Sequence, residues 1–339
     1  MAHRIASRRP TRCTTVTERR PFRFIAQVPD FTRSLAAWRD ELRAIEDAGF
    51  TTVAIADHFT GGYTMEPFVT LTAAAMETTS LRVQTAVLAN EYRHPVQTYR
   101  AAATLDVISG GRLDLGVGAG WMRSDYDAAG LSYDRAGMRI DRLEESIVIL
   151  KGLFSGEPFS FAGAHFAVKD VVGVPRAVQG PHPPLLIGGG GRRMLHLAGR
   201  EADIAGINAN LGAGDVGGQV VDVGWEPMAE KVAWVREGAV SAGRGDDDVV
   251  LSMAQWLLHV TNDASEAETL LAKMAERVGV NAAWLEDAPG VLVGSPSRCA
   301  EKLHALRDRL GISYIQVHSG PRSRELTGIY PVVSALAGT

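Results

Sequence analysis

An apolar run at residues 53–56 ends at two ionisable side chains, Asp57 and His58. Such a run is typical of a buried strand, so the pair stands at a strand end. An imidazole titrates near neutral pH and can carry a proton, and a neighbouring carboxylate can orient it. The pair is therefore a candidate catalytic site. The simpler interpretation makes Asp57 a turn cap and His58 a polar residue lining the surface.

A second candidate is an anion site at four consecutive glycines between an apolar run and a helical pattern. They are Gly188, Gly189, Gly190 and Gly191. Glycines let a backbone approach an anion closely, and the free N–H groups of the following helix attract negative charge. Four glycines exceed what a flexible turn needs, which favours a phosphate site. We expect Arg192 and Arg193 to add positive charge, and Asn208 to hydrogen-bond to the same anion.

A third glycine-rich segment, GVGAGW at residues 116–121, does not fit a dinucleotide-binding fingerprint. That fingerprint is spaced G-x-G-x-x-G after the first strand of its unit, whereas this segment is spaced G-x-G-x-G after a fourth predicted strand. A loop that passes close to a flat ligand at Gly118 fits better. The chain has no G-x-S-x-G elbow and no P-loop, and Cys299 has no base near it in sequence. These patterns together indicate a phosphorylated planar cofactor.

The composition excludes several classes of protein. The 339 residues are 46% hydrophobic and 22% charged with a net charge of -4, which gives no indication of nucleic-acid binding. Two cysteines form neither a disulfide scaffold nor a metal-ligand spacing, so we expect a cytoplasmic protein without a metal site. No apolar run approaches the roughly 20 residues of a membrane span. Residues 1–20 are rich in arginine and threonine and are predicted to be a disordered leader.

Strand and helix patterns alternate along the rest of the chain. The eight predicted strands are 22–28, 51–56, 81–88, 111–120, 183–191, 202–208, 248–260 and 312–319, and the helices between them are 34–49, 66–80, 95–109, 136–154, 192–200, 226–243, 265–279 and 295–311. Eight such units favour an α/β fold closed as a TIM (β/α)8 barrel over residues 21–339, with a doubly wound open sheet as the alternative. The segments 155–183 and 209–225 interrupt the pattern as insertions. A barrel places its site at the strand ends, which also carry Gln27, Gln255 and His318.

Longer segments of the chain resemble the bacterial luciferase-like family of flavin and deazaflavin enzymes. They are 44–59, 81–131, 139–166, 183–208 and 291–317. The resemblance implies a single luciferase-like barrel with insertion segments, a homodimer and a small-molecule substrate. It also implies that Asp57 and His58 lie near the reacting face of the ring, and that a bulge at Ala86 and Val87, commonly with a cis peptide, backs it. The expected cofactor contacts are Ala86, Val87, Gly118, Gly188, Gly189, Gly190, Gly191 and Asn208.

The branch of that family is suggested by the ADH segment at 56–58 and by the YRHP segment at 92–95. Both are similar to enzymes that use the deazaflavin coenzyme F-420 to transfer a hydride between C5 of its ring and a small organic substrate. The alternatives are a monooxygenase that uses reduced FMN and oxygen, and a non-catalytic flavin-binding relative. Sugar-phosphate dehydrogenases of this branch carry a glutamate and an asparagine where this chain has Ala119 and Met122. His58 is therefore the better candidate for acid–base chemistry.

Overall fold

The computed structural model describes residues 19–30, 34–211, 219–317 and 326–339. Within these ranges, eight parallel strands form the wall of a barrel. They are β1 (Arg23–Gln27), β2 (Thr52–Ile55), β3 (Arg82–Thr85), β4 (Leu113–Gly118), β5 (Leu185–Gly189), β6 (Ile204–Ile207), β7 (Val250–Ala254) and β8 (Tyr314–Val317). Each strand pairs with the next, and β8 pairs with β1. The predicted closed barrel is confirmed, and the open sheet is excluded.

Eight helices in the described ranges follow the strands in turn. They are α1 (Leu35–Asp47), α2 (Pro67–Glu77), α3 (Pro95–Ile108), α4 (Ala136–Phe154), α5 (Arg192–Glu201), α6 (Trp225–Ser241), α7 (Pro296–Leu310) and α8 (Tyr330–Leu336). Residues that favour helix starts mark two of these helices. The Ser34 side chain accepts a hydrogen bond from the N–H of Ala37 at the start of α1, and Pro95 begins α3.

A polar network fills the barrel interior near the amino-terminal ends of the strands. The Tyr314 hydroxyl lies 2.6 Å from Thr52 Oγ1 and donates to Asp114 Oδ2 at 3.2 Å. Asp114 also pairs with Arg82 at 2.6 Å. Because buried polar groups are costly unless hydrogen-bonded, these residues fix one another's positions. Apolar residues complete the packing inside the barrel: Ile25, Ala54, Leu186 and Ile204.

Two predicted strands are interrupted in the structure. The segment 81–88 ends as β3 at Thr85, the Ala86–Val87 peptide bond is cis, and a short strand, Leu88–Ala89, then pairs with β4. The cis bond occurs where the family resemblance implies one.

The prediction of one strand over 248–260 is wrong. β7 ends at Ala254, and Leu257–Val260 pairs instead with Val291–Gly294 in a separate two-stranded sheet, here called the side sheet. The chain leaves the barrel because the N–H of Trp256 donates to the carbonyl of Gly290 at 2.7 Å. An apolar pattern does not reveal such a change of partner. Helices Ala264–Val278 and Ala282–Asp287 connect the two strands of the side sheet.

Two further elements lie outside the eight repeated units. The predicted insertion at 155–183 contains an antiparallel hairpin of Pro158–Ala162 and Ala167–Val172. A short helix, Arg123–Ala129, follows β4 and was not predicted. In the described part of the chain, none of the helices combines the length and apolar character that a bilayer span requires.

The polar network predicts a specific loss of stability. Tyr314→Phe should lower the free energy of unfolding by about 1–3 kcal/mol, because Thr52 and Asp114 lose a buried hydroxyl partner. Urea denaturation measures this change. Tyr330→Phe, at the half-buried start of α8, is the matched control and should have a much smaller effect. Equal effects of the two variants would contradict a stabilising role for the network.

Candidate functional site

A cavity of about 420 Å³ lies at the carboxyl ends of the barrel strands. All ten residues that the sequence assigns to the site line it: Asp57, His58, Ala86, Val87, Gly118, Gly188, Gly189, Gly190, Gly191 and Asn208. Gln27 and Gln255 are not among its lining residues. His318 lies outside the described residues.

The imidazole of His58 is held by a carboxylate that sequence reasoning missed. His58 Nδ1 lies 2.7 Å from Oδ2 of Asp125, whose side chain has no solvent exposure. An ionised carboxylate only accepts hydrogen bonds, so Nδ1 carries the proton and Nε2 is left as the second functional nitrogen. Asp125 lies on the short helix after β4, 67 residues from His58 in sequence. No local pattern connects the two residues.

Asp125 is kept ionised by further donors. Its Oδ1 accepts hydrogen bonds from the N–H of Phe59 at 3.1 Å, the N–H of Thr60 at 2.8 Å and the Thr60 hydroxyl at 2.6 Å. Burial alone would raise the pKa of Asp125, but the hydrogen bonds from Thr60 and His58 and the attraction of the imidazole outweigh it and lower the pKa. The carboxylate is thus negative at neutral pH and can balance a charge on His58.

Aromatic rings surround the imidazole. The ring centroid of Tyr63 lies 4.6 Å from that of His58, and Trp121 approaches edge-on at 5.4 Å. Burial, assisted by the negative charge of Asp125, raises the pKa of Tyr63, so its hydroxyl stays neutral. His58 itself retains 11% side-chain exposure. The rings hold the imidazole in one orientation and limit access of water to it.

The Asp57 carboxylate pairs with Arg93 and not with His58, the next residue in the sequence. Its carboxylate pairs with both terminal nitrogens of Arg93, at 2.5 and 3.2 Å, and accepts the N–H of Ala89 at 3.2 Å. Arg93 in turn binds Glu66 at 2.9 Å. This geometry favours a structural role for Asp57, as in the turn-cap interpretation, over the candidate catalytic role of orienting His58, because Asp125 holds the imidazole instead. Through Ala89 it fixes the segment that follows the cis peptide.

Two glycines at the ends of β4 and β5 leave room for the side chain of Val87. A Cβ atom at Gly118 would lie 2.7 Å from Val87 Cγ2, and one at Gly188 would lie 3.1 Å from Cγ1. The glycines are therefore needed for the approach of a neighbouring side chain. Val87, with Ala86, forms an apolar surface of the cavity wall.

The last two glycines before α5 differ in their surroundings. A Cβ atom at Gly190 would lie 2.2 Å from the carbonyl oxygen of Ala209, so this glycine is required by packing. A Cβ atom at Gly191 would have no contact closer than the Asn210 side chain at 3.9 Å. Gly191 is the N-cap residue of α5. Among the described residues, no side chain accepts a capping hydrogen bond there, and the first turn of the helix has no acidic residue. The backbone N–H groups in the first turn of α5 are therefore suited to bind an anion.

The two arginines after the glycines contribute less charge than the sequence suggests. Arg192 pairs with Glu237 at 3.1 Å, and Arg193 pairs with Asp141 at 2.6 Å and with Glu144 at 3.0 Å. These carboxylates offset both cations. The expectation that the arginines add free positive charge therefore needs correction, and the directional N–H groups of α5 carry the attraction for an anion.

Asn208 has an orientation that can be deduced from its partners. Its Oδ1 lies 2.9 Å from the backbone nitrogen of Ala209 and 3.1 Å from Trp256 Nε1. Both partners are N–H donors, so the side-chain oxygen must face them and the amide nitrogen is left to donate elsewhere. Trp256 was not predicted as a site residue, because it lies 48 residues away on the turn into the side sheet.

A buried guanidinium also lines the cavity and was missed. Arg139 is 4% exposed and donates to the carbonyl of Ala119 at 3.3 Å and to the Tyr133 hydroxyl at 3.3 Å. Its guanidinium carbon lies 4.2 Å from the centroid of the Tyr133 ring, as in a cation stacked over an aromatic face. Arg139 thereby fixes the glycine loop after β4. Among the described residues, no group of three or more histidine, cysteine or acidic side chains is arranged to hold a metal ion.

A model of the luciferase-like monooxygenase family matches residues 21–313 of this chain. An FMNH2-dependent dimethylsulfone monooxygenase from Pseudomonas putida is 31% identical over 198 residues, which are 57% of this chain and 52% of the relative. A coenzyme F-420-dependent glucose-6-phosphate dehydrogenase from Microbacterium testaceum is 32% identical over 213 residues, 60% of this chain and 58% of the relative. The chain therefore spans between half and three fifths of these curated relatives.

A solved structure supports the fold independently. The coenzyme F-420-dependent tetrahydromethanopterin reductase from Methanopyrus kandleri superposes with a TM-score of 0.73 at 21% identity. The superposition covers 94% of this chain and 98% of the other.

The environment of Asp125 predicts a pH-dependent contribution to stability. The lowered pKa means that the unfolded chain binds a proton at Asp125 more readily than the folded chain does. Its stabilisation is fully present above the unfolded pKa of about 3.9 and is lost as pH falls through the folded pKa. Near pH 7 the free energy of unfolding of wild type should be higher than that of Asp125→Asn. This difference in free energy should become smaller below about pH 4.

Urea unfolding at a series of pH values measures this difference. Asp127→Asn is the control, because Asp127 is 64% exposed and lies 3.6 Å from Arg123 on the same short helix. It should change stability little at any pH. A difference for Asp125→Asn that stays constant down to pH 3 would contradict the assignment.

Proposed function

Because the chain belongs to the luciferase-like monooxygenase family, we propose that it is an oxidoreductase that binds coenzyme F-420 and acts on a small organic substrate. The reaction is a hydride transfer between C5 of the deazaflavin ring and that substrate. One observation carries the proposal. His58, held by Asp125, and the start of α5 line the same cavity, and so does the apolar surface of Ala86 and Val87.

The residues present fit a phosphorylated flat ring. The N–H groups that follow Gly191 and the amide nitrogen of Asn208 are donors for a phosphate. Ala86 and Val87 offer the ring an apolar support, and Gly118 and Gly188 keep that support in place. When bound, the deazaflavin supplies the carbon that accepts or donates the hydride.

The protein's own contribution to the reaction is a proton at His58. In the oxidising direction, Nε2 accepts the proton of a substrate hydroxyl as the hydride leaves the adjacent carbon. In the reducing direction, the imidazolium returns it to the carbonyl oxygen. Asp125 stabilises the imidazolium by accepting from Nδ1 at 2.7 Å. Tyr63 and Trp121 keep the ring aligned and restrict water.

The position occupied by Ala119 supports the assignment of this role to His58. Ala119 lines the cavity without an ionisable group, and the Met122 side chain offers only an uncharged sulfur, which accepts the Thr60 hydroxyl at 3.4 Å. The proton relay that the resemblance implies for sugar-phosphate dehydrogenases thus has no counterpart at these positions. A substrate without a sugar phosphate is the better fit.

A second candidate is a monooxygenase that uses reduced FMN and oxygen. The 31% identity to an FMNH2-dependent monooxygenase favours it. The same phosphate donors and the same histidine would serve either cofactor, so the ring that the cavity accepts separates the two functions.

Titration of both cofactors tests the proposal. We expect coenzyme F-420 to be quenched in fluorescence on binding, with an affinity at least about tenfold above that for FMN, a difference of about 1.4 kcal/mol. Gly191→Asp should abolish binding, because a carboxylate then faces the phosphate at the start of α5. Gly191→Ala is the neutral control and should bind, since its methyl enters open space.

Two results would contradict the proposal. Micromolar binding of FMN without binding of coenzyme F-420, together with oxygen consumption in the presence of reduced FMN, would establish the second candidate. Full affinity of Gly191→Asp would locate the phosphate elsewhere.

Replacement of His58 tests its chemical role. His58→Ala should keep cofactor affinity within about tenfold and lower turnover by roughly 10²-fold or more, as expected for lost acid–base catalysis. Turnover is measured by deazaflavin absorbance with the fastest substrate from a panel of small alcohols. His94→Ala, at the start of α3 and outside the cavity lining, is the control. Unchanged turnover of His58→Ala would return His58 to a lining role.

A further inference from the structure

A buried lysine outside the cavity lining is connected to the anion-binding end of the cavity. Lys231 lies on α6, and its side chain is 1% exposed. Its ammonium contacts Asp222 twice, at 2.5 Å from Oδ2 and at 2.9 Å from the backbone carbonyl. Burying an ammonium group is unfavourable unless it is paired, so this lysine constrains Asp222 strongly.

Asp222 passes the constraint to the chain beside the glycines. The same oxygen that binds Lys231 accepts the N–H of Asn210 at 2.6 Å. Asn210 lines the cavity, and its backbone nitrogen would lie 2.6 Å from a Cβ atom at Gly190. The preceding carbonyl, that of Ala209, approaches the same glycine at 2.2 Å from the Cβ position. Asn210 therefore packs directly on the backbone that leads into α5.

The segment from Asn208 to Asn210 thus has an anchor at each end. Trp256 holds the Asn208 side chain at one end, and Asp222 holds the Asn210 backbone at the other. Between the anchors, Ala209 sets the spacing to Gly190. The distance between the Asn208 amide and the N–H groups of α5 depends on both anchors.

We propose that Lys231 is a positioning residue for an anionic phosphate group, acting through Asp222 and the backbone of Asn210. The inference rests on the proposed function, in which the phosphate of a flavin or deazaflavin binds at this end of the cavity. Without Lys231, Asp222 loses the partner that fixes its rotamer, and Asn210 loses a fixed acceptor. The donors around the phosphate then lose alignment, while the His58 end keeps all its contacts.

The test compares ligands that differ only in the phosphate. Fluorescence titration of wild type, Lys231→Met and Asp222→Ala uses FMN against riboflavin, and coenzyme F-420 against the matching phosphate-free deazaflavin. Both variants should lower affinity for the phosphorylated ligand by about tenfold, the size of one lost charge-assisted hydrogen bond. Affinity for the phosphate-free ligand and kcat at saturating cofactor should stay within about twofold of the wild-type values. A general loss of structure would lower both.

A second lysine provides a matched control. Lys151 on α4 contacts the backbone carbonyl and the carboxylate of Glu201 at 2.8 and 2.9 Å, the same arrangement at the far end of α5. Lys151→Met should leave the preference for the phosphorylated ligand unchanged. If either single variant does not fold, the double variant Lys231→Met/Asp222→Ala decides, because it removes the link to Asn210 without leaving a buried charge unpaired.

The outcomes separate this inference from the proposed function. A wild-type preference for the phosphorylated ligand that persists in both variants would overturn the role of Lys231 and leave the proposed function intact. A wild type that binds phosphorylated and phosphate-free ligands equally would overturn the phosphate site, and the role of Lys231 with it.

Discussion

The hydrogen bonds between β1 and β8 are the constraint on which the site depends. They close the sheet, so that residues at the ends of strands far apart in sequence face one another across a single opening. His58 after β2 and Asn208 after β6 lie on one cavity for this reason. In an open sheet the same side chains would be spread along an edge. The interior network of Tyr314, Asp114 and Arg82 keeps the strands in register beneath the cavity.

The cavity separates two kinds of chemistry by position. One end holds an imidazole backed by a buried carboxylate, and the other presents N–H donors at the start of a helix. Neither end relies on a free surface cation, since the arginines after the glycines are paired with carboxylates. An anion bound by these donors, as proposed above, would be recognised by direction rather than by net charge, because hydrogen-bond donors act along defined axes. Val87 lines the same cavity with an apolar side chain, packed against Gly118 and Gly188.

Local patterns were sufficient for most of the strands and helices and for the residues at the strand ends. The apolar run before His58 and the glycines before α5 carry their meaning within about ten residues, which is the range of a sequence pattern. The roles of three other residues depend on partners that only the fold brings near: Asp125, Trp256 and Lys231. Asp125 lies in a polar segment with no periodic signal, and Trp256 continues an apolar run that reads as one strand. Only the change of strand partner at Gly290 makes Trp256 available to Asn208.

Trp256 has a consequence for the side sheet as a whole. Its backbone N–H begins that sheet at Gly290, and its indole N–H ends at Asn208 in the cavity. One face of the side sheet packs around its own apolar cluster, which includes Leu271 and Leu285, and Leu292 on the same sheet belongs to the main core. Any ligand that hydrogen-bonds to the Asn208 amide favours, by mass action, the conformation in which Trp256 donates to Asn208. Occupancy of the barrel mouth and the position of the side sheet are thereby thermodynamically linked.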